Sequence, residues 1–115
     1  MKHIMKLNEQ PFKMIQSGNK SIELRLYDEK RRLVSVGDEI EFFCASDNEM
    51  RIFSRVVAMH TFSSFKELYE GLPLLKCGYT VKDVANASYK DMLEYYTAEE
   101  EKAFGVVGIE LELLK

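Results

Sequence analysis

Lys20, Glu23, Arg25 and Tyr27 put an ammonium, a carboxylate, a guanidinium and a phenol within eight residues of one another. Ile22, Leu24 and Leu26 alternate with Glu23, Arg25 and Tyr27, the period-two pattern of a half-buried strand. The polar members therefore share the face opposite the aliphatic ones, and Lys20 is read onto the same side. Two kinds of chemistry suit such a row. Arg25 presents a planar fork to an oxyanion or a carbonyl-bearing base edge, and Lys20 acts as a point cation. Glu23 accepts hydrogen bonds from exocyclic amines, and Tyr27 offers a stacking surface with a hydroxyl. Alternatively, the pair does hydrolytic work, with Glu23 as base toward water and Lys20 as proton shuttle or oxyanion stabiliser. The plain alternative is a solvated polar face in which Glu23 only balances its neighbours.

Familiar catalytic signatures do not accompany this row. The sequence has no phosphate-cradling Walker loop, dinucleotide fingerprint, HExxH or GxSxG arrangement. Cys44 and Cys77 stand far apart, as do His3 and His60, so no ligand spacing suggests a metal, and no cofactor is expected. Cys44 lies in an apolar run and is read as buried packing. Cys77, beside Gly78 in an expected turn, is the more exposed of the two.

The elements that position the row are short. His3–Leu7 reads as an opening strand. Asn8 is a candidate N-cap for a helix whose apolar face is Phe12 and Ile15, and Gly18 is its stop. After the 22–26 strand, Asp28–Arg32 forms a charged loop that brings Lys30 near the row. Gly37–Asp38 marks a turn before the strand of Ile40, Phe42 and Cys44, which the polar 46–49 loop joins to a longer strand over Met50–Met59. Thr61–Ser64 offers caps for a helix with Phe65, Leu68 and Tyr69. Residues 74–103 are helical or loop: Val81, Val84 and Ala85 suggest one short helix, and Tyr89, Met92, Leu93 and Tyr96 an apolar-aromatic face. Thr97 and Glu100 fit a capping box, and Val106–Leu114 closes the chain as a strand. Phe12, Phe42, Phe53, Phe65 and Phe104 are core candidates. Tyr79, Tyr95 and Tyr96 are boundary residues, any of which would roof a pocket.

Five to six mostly antiparallel strands with three to four short helices predict an α+β fold built on a small closed or strongly coiled sheet, since closure removes exposed strand edges. The 115 residues suit one domain, 1–115, with a core that needs no metal or disulfide staple. The start is broken by polar residues and no run approaches the roughly 18 apolar residues of a membrane span, so a cytoplasmic protein is expected. A net charge of −3 argues against indiscriminate coating of nucleic acid. Residues 1–60 hold ten basic against nine acidic side chains and residues 61–115 six against ten. Lys20–Arg32 is a positive island of five basic and three acidic residues, which suits a local anion site.

The strings PFKMIQSGNKSIELRL, YDEKRR and VGDEIEF, with the later FSSFKELYEGLP and YYTAEEEKAFGVVGIEL, closely resemble the ASCH domain family over nearly the whole chain. The resemblance implies a PUA-like β-barrel with a groove, between barrel and flanking helices, for RNA or a nucleotide-like ligand. The family's groove motif, G-x-K followed by alternating polar residues, falls on Gly18, Lys20, Glu23 and Arg25. Some small ASCH-like proteins are amidohydrolases that deacetylate N4-acetylcytidine with the lysine of this motif and a threonine three residues later. Here that position is Glu23, so the mechanism does not transfer directly.

Three functions follow as expectations. The first is an RNA- or nucleotide-binding module, with Gly18, Lys20, Glu23, Arg25, Tyr27, Lys30, Tyr79 and Tyr96 around the ligand. The second is an amidohydrolase on an N4-acylated cytidine nucleoside, with Lys20 and Glu23 catalytic. The third is a protein-interaction domain without a small ligand. None calls for a membrane.

Overall fold

The computed structural model describes residues 1–114. Its elements are β1 (Lys2–Leu7), α1 (Glu9–Gln16), β2 (Ile22–Leu26), β3 (Glu39–Cys44), β4 (Asp47–Phe62), α2 (Phe65–Gly71), α3 (Ala98–Phe104) and β5 (Val106–Leu113), with single 3₁₀ turns at 31–33, 74–76 and 84–86 and a longer one at 89–94. The strands form one sheet in the order β1-β3-β4-β5-β2. The β1–β3 pairing is parallel and the other three are antiparallel.

The expected α+β class and mostly antiparallel pairing hold, but the barrel does not close. β1 and β2 are the two edges of a curled, half-open sheet, and no ladder joins them. The connection explains why. β1 runs parallel to β3, and the chain crosses from β1 to β2 through α1, whose buried Phe12 and Ile15 cover the sheet. A helix therefore stands at the opening.

Two cores result. Met5, Leu7, Phe12, Ile15, Phe42 and Val107 belong to the first, on the α1 side of the sheet. Ile22, Leu24 and Leu26 belong to the second, packed with Phe65 and Leu68 of α2. Register decides where the alternate residues of β2 go. Glu23 lies opposite Ile109 and Arg25 opposite Val107, and both β5 residues face the first core. Both faces of β2 are consequently buried, so the plain reading of a solvated charged face does not apply.

Several local expectations change. The hairpin turn after β3 is tighter than the 46–49 loop, and β4 already begins at Asp47. Residues 80–87 form turns rather than a helix: Val81 is 80% exposed, and a short helix without a packed face is not stable. Phe53 lies on the outer surface of β4 with Lys2 Nζ 5.3 Å from its ring centroid, so it is not core. Cys77 is buried like Cys44, because the 77–79 turn folds onto the second core. No helix among the described residues is long and apolar enough to cross a membrane.

Candidate functional site

Lys20, Glu23 and Arg25 converge. Glu23 Oε1 lies 2.9 Å from Lys20 Nζ, and its Oε2 accepts a 2.7 Å hydrogen bond from Arg25 Nε. The three side chains are only 11%, 6% and 16% exposed, so the pairs are largely desolvated and weakly screened. Arg25 and Glu23 reach this point by strand alternation. Lys20 arrives differently, from the turn ahead of β2, with its stem against Gly78. A Cβ on Gly78 would stand 3.3 Å from Lys20 Cδ, and the residue's φ of +111° also favours glycine.

The electrostatics are those of a clamped carboxylate. Burial alone would raise the Glu23 carboxyl, but the Lys20 ammonium and the Arg25 guanidinium outweigh it and hold it below the usual carboxylate range. Burial likewise opposes the charge on Arg25, and Glu23 more than restores it. With both oxygens engaged, Glu23 is a poor proton acceptor.

These groups open onto a groove of about 820 Å³. One wall is the end of β1 and the start of α1, including Lys6, Asn8 and Met14; the other runs from Tyr69 of α2 through Cys77–Tyr79 to Asp91–Tyr96. Arg25 crosses to the first wall, where its Nη2 donates to the Lys6 carbonyl at 3.0 Å. On the second wall Tyr69 Oη lies 2.7 Å from Tyr79 Oη, which donates to Asp91 Oδ2 at 2.6 Å. Tyr96 stacks on Phe65 with ring centroids 5.7 Å apart and planes 17° from parallel. Burial pushes the Tyr79, Tyr96 and Tyr69 phenols up, and the hydrogen bond to Asp91 adds to this at Tyr79. Burial also pushes the Cys77 thiol up to about 11, which leaves it a poor nucleophile at neutral pH.

Of the residues singled out from the sequence, Lys20, Glu23, Arg25, Tyr79 and Tyr96 line this groove. Gly18, Tyr27 and Lys30 stand outside it. Gly18 ends α1 at φ +85°, its amide bonded to the Ile15 carbonyl, and so reverses the chain toward Lys20. Tyr27 packs on the first core beneath the Arg32 guanidinium, 4.3 Å from its ring. Lys30 is exposed on the loop. Tyr69, Cys77 and Asp91 line the groove without having been marked as ligand contacts. For Tyr69 and Asp91 the only sequence signal is that tyrosine and aspartate recur through 69–96, and for Cys77 its place beside Gly78, none of which fixes a common wall. Among the described residues no group of three or more His, Cys, Asp or Glu side chains is placed to hold a metal ion.

The sequence model of the ASCH domain matches residues 5–115. Among solved structures, the crystal structure of hypothetical protein PH0355 is 35% identical, covering 99% of this chain and 100% of its own, with a TM-score of 0.81. The solution structure of protein PF0455 from Pyrococcus furiosus is also 35% identical, with coverages of 100% and 99% and a TM-score of 0.74. The crystal structure of ASCH from Zymomonas mobilis shares the fold at 16% identity and a TM-score of 0.65, over 95% of this chain and 65% of that one. No curated protein matches the chain.

Proposed function

The chain belongs to the ASCH domain family, and from that premise we propose that it is an RNA- or nucleotide-binding module whose ligand lies in the groove beside Lys20 and Arg25. The observation that carries this reading is that a desolvated Lys20–Glu23–Arg25 cluster faces an open concavity rather than a filled core. Two protons of Lys20 Nζ and the Nη1 group of Arg25 have no partner among the described residues, and such donors suit phosphate or carbonyl oxygen. Glu23 holds the two cations in place rather than reading the ligand itself. Tyr96 and Met92 supply apolar surface.

The overall charge of −3 limits the contact to a few nucleotides. Binding of a short single-stranded RNA, titrated against salt, tests the reading. Each neutralised phosphate contributes about −0.7 to the slope of log affinity against log salt, and a small groove predicts a slope of one to three phosphates. Absence of binding at low ionic strength overturns it.

The clamped state of Glu23 favours binding over hydrolysis, since a carboxylate that two cations hold below its usual range is a weak base toward water. Multiple-turnover release of acetate from N4-acetylcytidine, abolished by Lys20→Met, is the result that would replace binding with catalysis. That the chain's own side chains leave the groove open also favours a small ligand over a protein as its only partner.

A further inference from the structure

We infer that Tyr69, Tyr79 and Asp91 form an acceptor cluster on one wall of the groove that selects a ligand bearing an amino group, so that the groove prefers an aminated nucleobase to its keto counterpart. The inference rests on the nucleotide-binding reading above and adds the feature of the base that is recognised.

The argument is a count of protons. An ionised aspartate accepts and never donates, and a phenol has one proton to give. Tyr79 gives its proton to Asp91 Oδ2 at 2.6 Å. At 2.7 Å from Tyr69 Oη, the Tyr79 oxygen must therefore accept, and the Tyr69 proton is committed to it. Asp91 Oδ2 also accepts from the Ser88 amide at 3.3 Å, which fixes the carboxylate at the start of the 89–94 turn. What remains free among these three side chains is lone pairs, one face of Tyr69 Oη and the Asp91 Oδ1 oxygen, while the Tyr96 hydroxyl stands further along the wall.

The β2 side of the groove has the opposite character. Lys20 and Arg25 only donate, and each oxygen of the one carboxylate between them already takes one of their hydrogen bonds, so donors predominate on this side. A bound heterocycle therefore meets acceptors on one side and donors on the other. Adenine and cytosine carry an exocyclic amine next to a ring nitrogen acceptor, so they can satisfy both walls at once. Hypoxanthine and uracil have the same outlines but in the same pose place a carbonyl oxygen where the amine would be, against lone pairs that cannot answer it, and offer the cluster one ring N–H in place of the two amine protons.

Titrating the full chain at low ionic strength with AMP against IMP, and with CMP against UMP, tests this. A discrimination of about 10- to 100-fold in favour of the amino member of at least one pair is expected, the range of a good base-edge contact. In Asp91→Asn the side-chain oxygen keeps the Tyr79 and Ser88 contacts while the new amide donates, so the preference should fall to within about threefold or reverse. Tyr79→Phe, which frees the Tyr69 proton to point into the groove, should weaken the preference too and serves if Asp91→Asn does not fold. Amino and keto members bound within threefold by the unaltered protein, a keto preference, or a preference unchanged in the folded variants overturns the inference while leaving nucleotide binding intact. No binding of any of the four, or of RNA, overturns both.

Discussion

Arg25 Nη2 donates to the backbone carbonyl of Lys6 across 3.0 Å, tying β2 to β1, the two edges that the sheet leaves unpaired. One side chain thus spans the opening that a closed barrel would fill with a ladder. The same guanidinium holds Glu23 through Nε. Arg25 is therefore both a structural tie and part of the charged floor of the groove, and substitutions there will report on both.

Arg25→Met should destabilise the protein by about 2–4 kcal/mol, because it removes a charge-assisted bond to Glu23 and leaves the Lys6 carbonyl without its partner. Arg25→Lys keeps the charge but not the fork, so it should recover only part of the loss. Urea unfolding measures both. Equal stability of the native protein and Arg25→Met would show that the tie across the opening contributes nothing.

Glu23 predicts an acid dependence with a definite sign. Its carboxyl is held below the ordinary value of 4.5 in the folded state, so its stabilisation is fully present above that value and is lost as pH falls through the lower folded one. Glu23→Gln leaves two buried cations without their counter-ion and should cost about 2–4 kcal/mol at pH 7. The gap between native protein and variant should then narrow steadily below about pH 4. Unfolding curves taken from pH 7 to pH 3 check this, and a gap independent of pH would contradict the clamp.

Cys77 should react slowly. With its thiol raised to about 11 from 9.0, its thiolate fraction near pH 8 is roughly a hundredfold lower than that of an ordinary cysteine. Iodoacetamide labelling followed by mass spectrometry should show Cys77 protected in the folded protein and reactive in urea. Because Cys77 lines the groove, a bound nucleotide should slow its labelling further. Rapid modification of the folded protein would mean that the 77–79 turn does not stay packed.

Much of this site was readable along the chain because its signals are local. Alternation through 22–26 placed Glu23 and Arg25 on one face, Gly37–Asp38 marked the turn into β3, and Thr97–Glu100 gave the cap of α3. What escaped depends on contacts distant in sequence. The carbonyl that receives Arg25 belongs to Lys6, 19 residues away, and backbone acceptors carry no side-chain signature. The parallel pairing of β1 with β3 left the barrel open, though strand patterning alone suggested closure. Tyr69, Tyr79 and Asp91 meet only because α2 and two stretches of turn pack on the second core. Phe53 failed as a core residue for a related reason: alternation identifies two faces but not which one a later element will cover.

Gly78 offers the sharpest separation of fold from site. Gly78→Ala imposes two burdens: a side chain at φ +111°, and a Cβ 3.3 Å from Lys20 Cδ. The first should cost about 1–2 kcal/mol of stability. The second should push the flexible Lys20 stem aside and lengthen the 2.9 Å contact of its ammonium with Glu23. Gly37 provides the control. It sits at φ +95° with nothing within 4 Å of the position a Cβ would take and is not among the residues lining the groove, so Gly37→Ala carries the backbone burden alone. Both variants should lose comparable stability in thermal or urea unfolding. Only Gly78→Ala should weaken binding of a short RNA, by roughly three- to tenfold, the scale of about 1 kcal/mol for a displaced charge-assisted contact. Equal RNA affinity in the two variants would mean that the placement of Lys20 against Gly78 has no part in holding the ligand.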